Sequence, residues 1–176
     1  MSERLRIAIT KGRLLDKSMD LFDRMGLDST PVRNPGRRLI HQIPNYPLDA
    51  VLSKAPDVIT YVEQGVCDLG IVGKDTILEK GGTFYEVLDL GFGKCRFALA
   101  VKEGTDFYHT YKTRRIASKY PAVAKRFFAA KGLDVDIIKI EGSVELAPIL
   151  GLTDAIVDIV ETGATLKANG LVPIET

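Results

Sequence analysis

The chain has 176 residues, 45% of them hydrophobic, which suits one ordinary domain or two small lobes with a real core and excludes a disordered chain. Twenty-four Lys plus Arg against 23 Asp plus Glu leave a net charge of +1. No whole-molecule field therefore draws the protein to nucleic acid or an anionic membrane, and any anion must be held by a local site.

No apolar run approaches the roughly 20 residues needed to cross a bilayer. The opening MSERLRIAITKGR alternates charged and apolar residues without the basic and apolar regions of a signal peptide, so a cytoplasmic protein is expected. Cys67 and Cys95 form no CxxC or Cys/His pattern, and buried free thiols are expected.

Leu5 to Thr10 reads as a strand ending at Lys11-Gly12-Arg13, and Leu14 to Met25 carries apolar residues at helical spacing. After the turn at Asn34-Pro35-Gly36, Arg38 to Ile43 and Asp49 to Ser53 read as a hairpin around Asn45-Tyr46-Pro47. Pro56-Asp57 opens a helix that runs to Gln64, Cys67 to Val72 is a strand, and Gly73-Lys74-Asp75 turns into a helix from Thr76 to Lys80. Two strands follow, Phe84 to Leu90 and Arg96 to Val101, joined by Gly91-Phe92-Gly93-Lys94.

After an irregular stretch from Glu103 to Lys112 a second series begins: strand Arg115 to Ser118, helix Ala122 to Lys131, strand Val135 to Ile140, short helix Val144 to Leu150, strand Ala155 to Val160, helix Thr165 to Ala168. The alternation implies an α/β fold, two lobes with mainly parallel sheets around a cleft. Leu171 to Thr176 looks like the start of another strand, and the abrupt end reads as a truncation or a missing tail.

Three strand-to-helix junctions carry chemistry: Lys11-Gly12-Arg13, Gly73-Lys74-Asp75 and Glu161-Thr162-Gly163-Ala164-Thr165. Parallel sheets bind ligands beyond the carboxyl ends of their strands, where helix N-termini favour anions. Gly163 allows close backbone approach, and the hydroxyls of Thr162 and Thr165 can donate to phosphate oxygens. Asp154, Asp158 and Glu161 can reach ribose hydroxyls or a hydrated Mg²⁺.

Plain alternatives stand beside each reading. The pentapeptide can be only a helix cap, KGR a solvated turn, Asp158 a solvent-facing strand residue, and Lys54, Lys94 and Arg96 ordinary surface charge. His41 and His109 have no partners at metal-ligand spacing, and no Walker A loop, Rossmann fingerprint or GxSxG elbow occurs.

ITKGRL (Ile9 to Leu14), the stretch from Asp57 to Glu79, LGFGKCRFALAV (Leu90 to Val101), RIASKYP (Arg115 to Pro121) and EGSVELAPILGLTDAIVDIVETGATLKANGL (Glu141 to Leu171) resemble the ATP phosphoribosyltransferase family, collinearly from about Leu5 to Leu171. The length resembles the family's short form. The resemblance implies a fold similar to type II periplasmic binding proteins, with residues 1–101 as a first lobe, joined by a return strand beginning at 172–176, and residues 102–171 as a second.

It further implies transfer of the 5-phosphoribosyl group from phosphoribosyl pyrophosphate to N1 of ATP, the first step of histidine biosynthesis, with Mg²⁺. By resemblance, Glu161, Thr162, Gly163, Ala164 and Thr165 hold the 5-phosphate, with Asp154 and Asp158 near the ribose. Lys11, Gly12, Arg13, Asp75 and Arg96 line the first-lobe side, where the ATP and the pyrophosphate lie, and Lys54 stands where many relatives have Arg. Charge stabilisation falls to Lys11, Arg13 and Arg96, and no direct protein ligand to the metal is implied, only Asp154 or Glu161 near it. The partners implied are a second catalytic chain and a regulatory subunit similar to histidyl-tRNA synthetase.

Two other classes compete: a solute-binding protein of the same fold, and a type I phosphoribosyltransferase for purines or orotate. The paired acids of the type I loop are interrupted here by Ile159 and Val160.

Overall fold

The structure is a computed structural model that describes residues 4–109 and 112–176. The chain forms two compact α/β units, Met1–Gly93 and Lys94–Thr176.

In the first unit the elements are β1 (Leu5–Thr10), α1 (Arg13–Arg24), α2 (Thr30–Arg33), β2 (Ile40–Ile43), β3 (Leu48–Ser53), α3 (Ala55–Glu63), β4 (Leu69–Ile71) and α4 (Lys74–Lys80). The sheet order is β2-β3-β1-β4, with β3, β1 and β4 parallel and β2 antiparallel to β3. β1 is covered on both faces, as its near-continuous apolar run requires. Ile7 and Ile9 pack with Met19 and Phe22 of α1 on one face, and Ala8 packs with Val58 of α3 and Cys67 on the other. Helix α2 is not among the expected elements; Arg33 fastens it to α1 through Asp20 at 2.8 Å and Asp23 at 2.6 Å.

The strand expected over Phe84 to Leu90 does not form; from Gly82 to Cys95 there is neither helix nor strand. Its alternating pattern finds no sheet neighbour, and Tyr85, Val87 and Leu88 are left exposed. Polar ties hold the segment instead: the Thr83 N–H donates to Glu63 at 2.8 Å, and Lys74 pairs with Glu86. Cys95, expected to be buried, is exposed because it ends this segment, whereas Cys67 is buried and its thiol is pushed up by desolvation.

The second unit comprises β5 (Arg96–Lys102), β6 (Arg114–Ser118), α5 (Pro121–Ala130), β7 (Val135–Lys139), α6 (Leu146–Ile149), β8 (Ala155–Val160), α7 (Ala164–Ala168) and β9 (Leu171–Glu175). Its sheet order is β7-β6-β8-β5-β9, with β7, β6 and β8 parallel and β5 antiparallel to both neighbours. Ala98, Ala100, Ile156 and Val160 face α6 and α7 through Ala147 and Leu166, while Leu99, Val101, Ile116 and Val157 face Phe128 of α5.

Residues 96–101 and 172–175, grouped above with the first lobe, belong to strands β5 and β9 of this second sheet. β5 alternates small alanines with larger apolar residues, so each of its faces fits a helix layer, and its two edges are satisfied by β8 and β9.

Candidate functional site

In the first unit the parallel strands β3, β1 and β4 bring their carboxyl ends to one edge. The Lys11 N–H donates to the Ser53 carbonyl at 3.0 Å, and the Thr10 hydroxyl donates to the Ile71 carbonyl at 3.1 Å. Helices α1, α3 and α4 begin there, at Gly12, Lys54 and Gly73, and none of the three starts is capped by a side-chain hydrogen bond.

Gly12 has φ 92° and ψ −149°, a backbone region open essentially to glycine alone, so the tight entry into α1 depends on it. Lys11, Arg13 and Lys54 are exposed, and Asp75, in the first turn of α4, is half-buried. Among the described residues no carboxylate forms an ion pair with Lys11 or Lys54. Positive side chains and helix starts at one edge favour a polyanion. Gly93 packs against the start of α1, where a Cβ would stand 2.8 Å from Leu14, which gives Gly93 a packing role.

In the second unit β8 delivers Glu161 and Thr162 to the carboxyl edge of its sheet. Gly163 then takes a left-handed conformation at φ 79° and ψ 2°, which turns the chain into α7, and buried Leu166 pins that helix to the sheet. The Thr162 hydroxyl accepts the Ala164 N–H at 3.3 Å, while Thr165 is exposed in the first turn of α7. Thr162 therefore fulfils part of the capping alternative, and the loop still presents an open, hydroxyl-bearing surface.

Asp158 is half-buried on the Ile156–Val160 face of β8, opposite Ala98, and its carboxylate accepts the Ile159 N–H at 2.8 Å. Asp154 is not brought to the loop. It precedes the other end of β8, about 20 Å away at the rise of an extended strand, and its carboxylate accepts the Arg115 N–H at 2.7 Å. There it lines a cavity of about 120 Å³ with Asp106 and Arg114. Arg96, grouped above with the ATP side, is the antiparallel partner of Val160 in this second sheet.

The structural role of Ser118 escaped the reading of the sequence, where it lacks the context of a GxSxG elbow. Its buried hydroxyl donates to the Val157 carbonyl at 2.6 Å and accepts the Tyr120 N–H at 2.9 Å, tying β6 to β8 below the loop. A lone serine at a strand end carries no sequence signal for that role. Of the histidines, His109 meets Asp106 at 2.9 Å, and His41 contacts the Arg38 carbonyl. Among the described residues no three His, Cys, Asp or Glu side chains gather as a metal-binding group.

Fold and edges together define a class: a two-unit α/β protein of the periplasmic-binding-protein type, with a glycine-bearing, charged strand-to-helix edge in each unit. An ancestral arginine-binding protein bound to glutamine shares the fold at a TM-score of 0.54 and 13% identity, over 100% of this chain and 80% of that one. The ATP phosphoribosyltransferase family model matches residues 54–176. The ATP phosphoribosyltransferase of Clostridium kluyveri is 60% identical over 169 residues, 96% of this chain and 77% of the relative. A chain of the ATP phosphoribosyl transferase (HisG:HisZ) complex from Thermotoga maritima matches at a TM-score of 0.81 and 35% identity, over 97% of this chain and 81% of that one. The chain belongs to the ATP phosphoribosyltransferase family.

Proposed function

We propose that the protein transfers the 5-phosphoribosyl group of phosphoribosyl pyrophosphate to N1 of ATP, giving N1-(5-phosphoribosyl)-ATP and pyrophosphate, the first step of histidine biosynthesis. The observation that carries this reading is family membership across nearly the whole chain, with 60% identity to the Clostridium kluyveri enzyme. The two edges supply the parts. Glu161 to Thr165 hold the 5-phosphate, with Asp158 toward the ribose, and Lys11, Gly12, Arg13, Lys54 and Asp75 receive ATP.

The adenine N1 lone pair attacks C1 of the ribose as the C1–O bond breaks, and the bonding pair leaves on pyrophosphate. N1 needs no deprotonation beforehand, so no strong general base is required. The rate comes from aligning the two substrates and from positive groups that stabilise the leaving charge. Lys54 brings charge without the two-pronged geometry of arginine, so it acts on the triphosphate as a point charge.

Mg²⁺ enters as part of the phosphoribosyl pyrophosphate substrate, where it neutralises charge on the leaving group. The donor set fits such an ion: Asp158 and Glu161 are the carboxylates of that strand end, and Mg²⁺ is commonly held by one or two carboxylates together with substrate phosphates. Asp154, engaged by the Arg115 N–H at the far end of β8, falls outside that set.

The Thermotoga maritima relative, taken from a HisG:HisZ complex, supports assembly of this chain with a partner subunit, which the family resemblance makes a regulatory one similar to histidyl-tRNA synthetase. The catalytic chains pair as a homodimer within that assembly, and histidine feedback acts through the partner. Among the described residues no helix is long and apolar enough to cross a membrane.

Calorimetry of Thr165→Ala tests the loop. The folded variant binds phosphoribosyl pyrophosphate about tenfold more weakly, as loss of a hydrogen bond to a charged group predicts. Unchanged affinity would remove the assignment.

A further inference from the structure

Arg96 opens β5, and its antiparallel partner is Val160, the last residue of β8 before Glu161. Residues directly opposite in such a pair carry their side chains on the same face, about 5 Å apart at Cβ. Arg96 therefore emerges on the face where Val160 packs with Leu166 of α7. Because β5 runs against β6, β7 and β8, its amino end lies at their carboxyl edge, beside the Glu161–Thr165 loop.

The guanidinium is exposed, and among the described residues no carboxylate pairs with it. Other cations near that edge are placed differently. Lys139 is paired with Glu141 at 2.6 Å, and Lys119 follows Ser118, which stands opposite Val157, three residues short of Val160.

We infer that Arg96 binds the 5-phosphate of phosphoribosyl pyrophosphate together with the Glu161–Thr165 loop. The inference rests on the function proposed above. The loop offers N–H and hydroxyl donors but carries the negative charge of Glu161, so a doubly charged phosphate needs a cation beside it. An arginine fork supplies that charge and two parallel hydrogen bonds to phosphate oxygens.

The test is calorimetry on the full chain and on R96Q and R96K, with ribose 5-phosphate and ATP as separate probes. Ribose 5-phosphate lacks the pyrophosphate, so it isolates the contact in question. R96Q, folded by circular dichroism, binds ribose 5-phosphate at least about tenfold more weakly, R96K recovers part of the loss, and ATP affinity is unchanged in both. Wild-type ribose 5-phosphate affinity in R96Q, or a loss confined to ATP, overturns the assignment of Arg96 alone. If the unsubstituted chain binds neither ribose 5-phosphate nor phosphoribosyl pyrophosphate, the proposed function fails and takes this inference with it.

Discussion

The backbone N–H of Lys11 donates to the carbonyl of Ser53 at 3.0 Å, extending the parallel β1–β3 pairing so that the Lys11-Gly12-Arg13 turn lies beside Lys54. Two segments thereby become neighbours at the start of α1 and α3, although Lys11 and Ser53 are 42 residues apart. The ATP side of the proposed reaction depends on that juxtaposition.

Replacing Gly12 by alanine forces a side chain into a φ 92°, ψ −149° backbone. A non-glycine residue held there costs about 1–3 kcal/mol. Gly12→Ala therefore lowers the urea midpoint and weakens ATP binding, while phosphoribosyl pyrophosphate affinity, measured on the folded variant, stays as it was.

Gly163→Ala gives the mirror result. A Cβ there meets nothing closer than Val160 Cγ1 at 3.8 Å, so the penalty is in the left-handed backbone and not in a clash. That penalty is about 1–2 kcal/mol. Calorimetry on the variant shows weaker phosphoribosyl pyrophosphate binding with ATP binding unchanged.

Asp154→Asn separates resemblance from geometry. The Asp154 carboxylate accepts the Arg115 N–H at 2.7 Å at the end of β8 remote from the loop. The amide oxygen of asparagine keeps an acceptor but loses the charge, at a cost of about 1 kcal/mol in stability. Denaturant melts detect that loss, and titration with phosphoribosyl pyrophosphate shows none.

Much of this arrangement is legible in the sequence, for identifiable reasons. β1, α1, α3, α5 and β8 carry periodic apolar patterns long enough to name their type, and parallel pairing then places Lys11, Lys54 and Asp75 at one edge. What a single chain does not disclose is which strand pairs with which. Arg96 meets Val160 across 64 residues of intervening order, and Leu171 meets Lys102 across 69, so the grouping of β5 and β9 follows from the structure alone.

The pattern over Phe84 to Leu90 has the period of a strand, but no sheet neighbour is there to pair with it. Asp154 stands away from the loop for another reason: a spacing that looks short in sequence becomes about 20 Å once the intervening residues are extended.

Tyr108 gives a pH-dependent check on the second unit. Burial, then the hydrogen bond to Glu175, pushes its pKa from 10.0 up to about 12. Lys131, at 2.6 Å from Glu175, holds that carboxylate below its usual range. With the folded pKa above the unfolded one, the Tyr108 contribution to stability is complete below about pH 10 and is lost as the pH rises through about 12. Ultraviolet titration of the folded protein shows a late tyrosine component, and Tyr108→Phe abolishes it.

The most direct measurement is turnover. The protein is incubated with ATP, phosphoribosyl pyrophosphate and Mg²⁺, with and without the regulatory subunit, and products are followed by absorbance and mass spectrometry. Loss of ATP is expected to be matched one to one by released pyrophosphate, with a product heavier than ATP by one phosphoribosyl group. A folded protein that binds both substrates yet forms no such product in either condition is not a phosphoribosyl transferase acting on ATP.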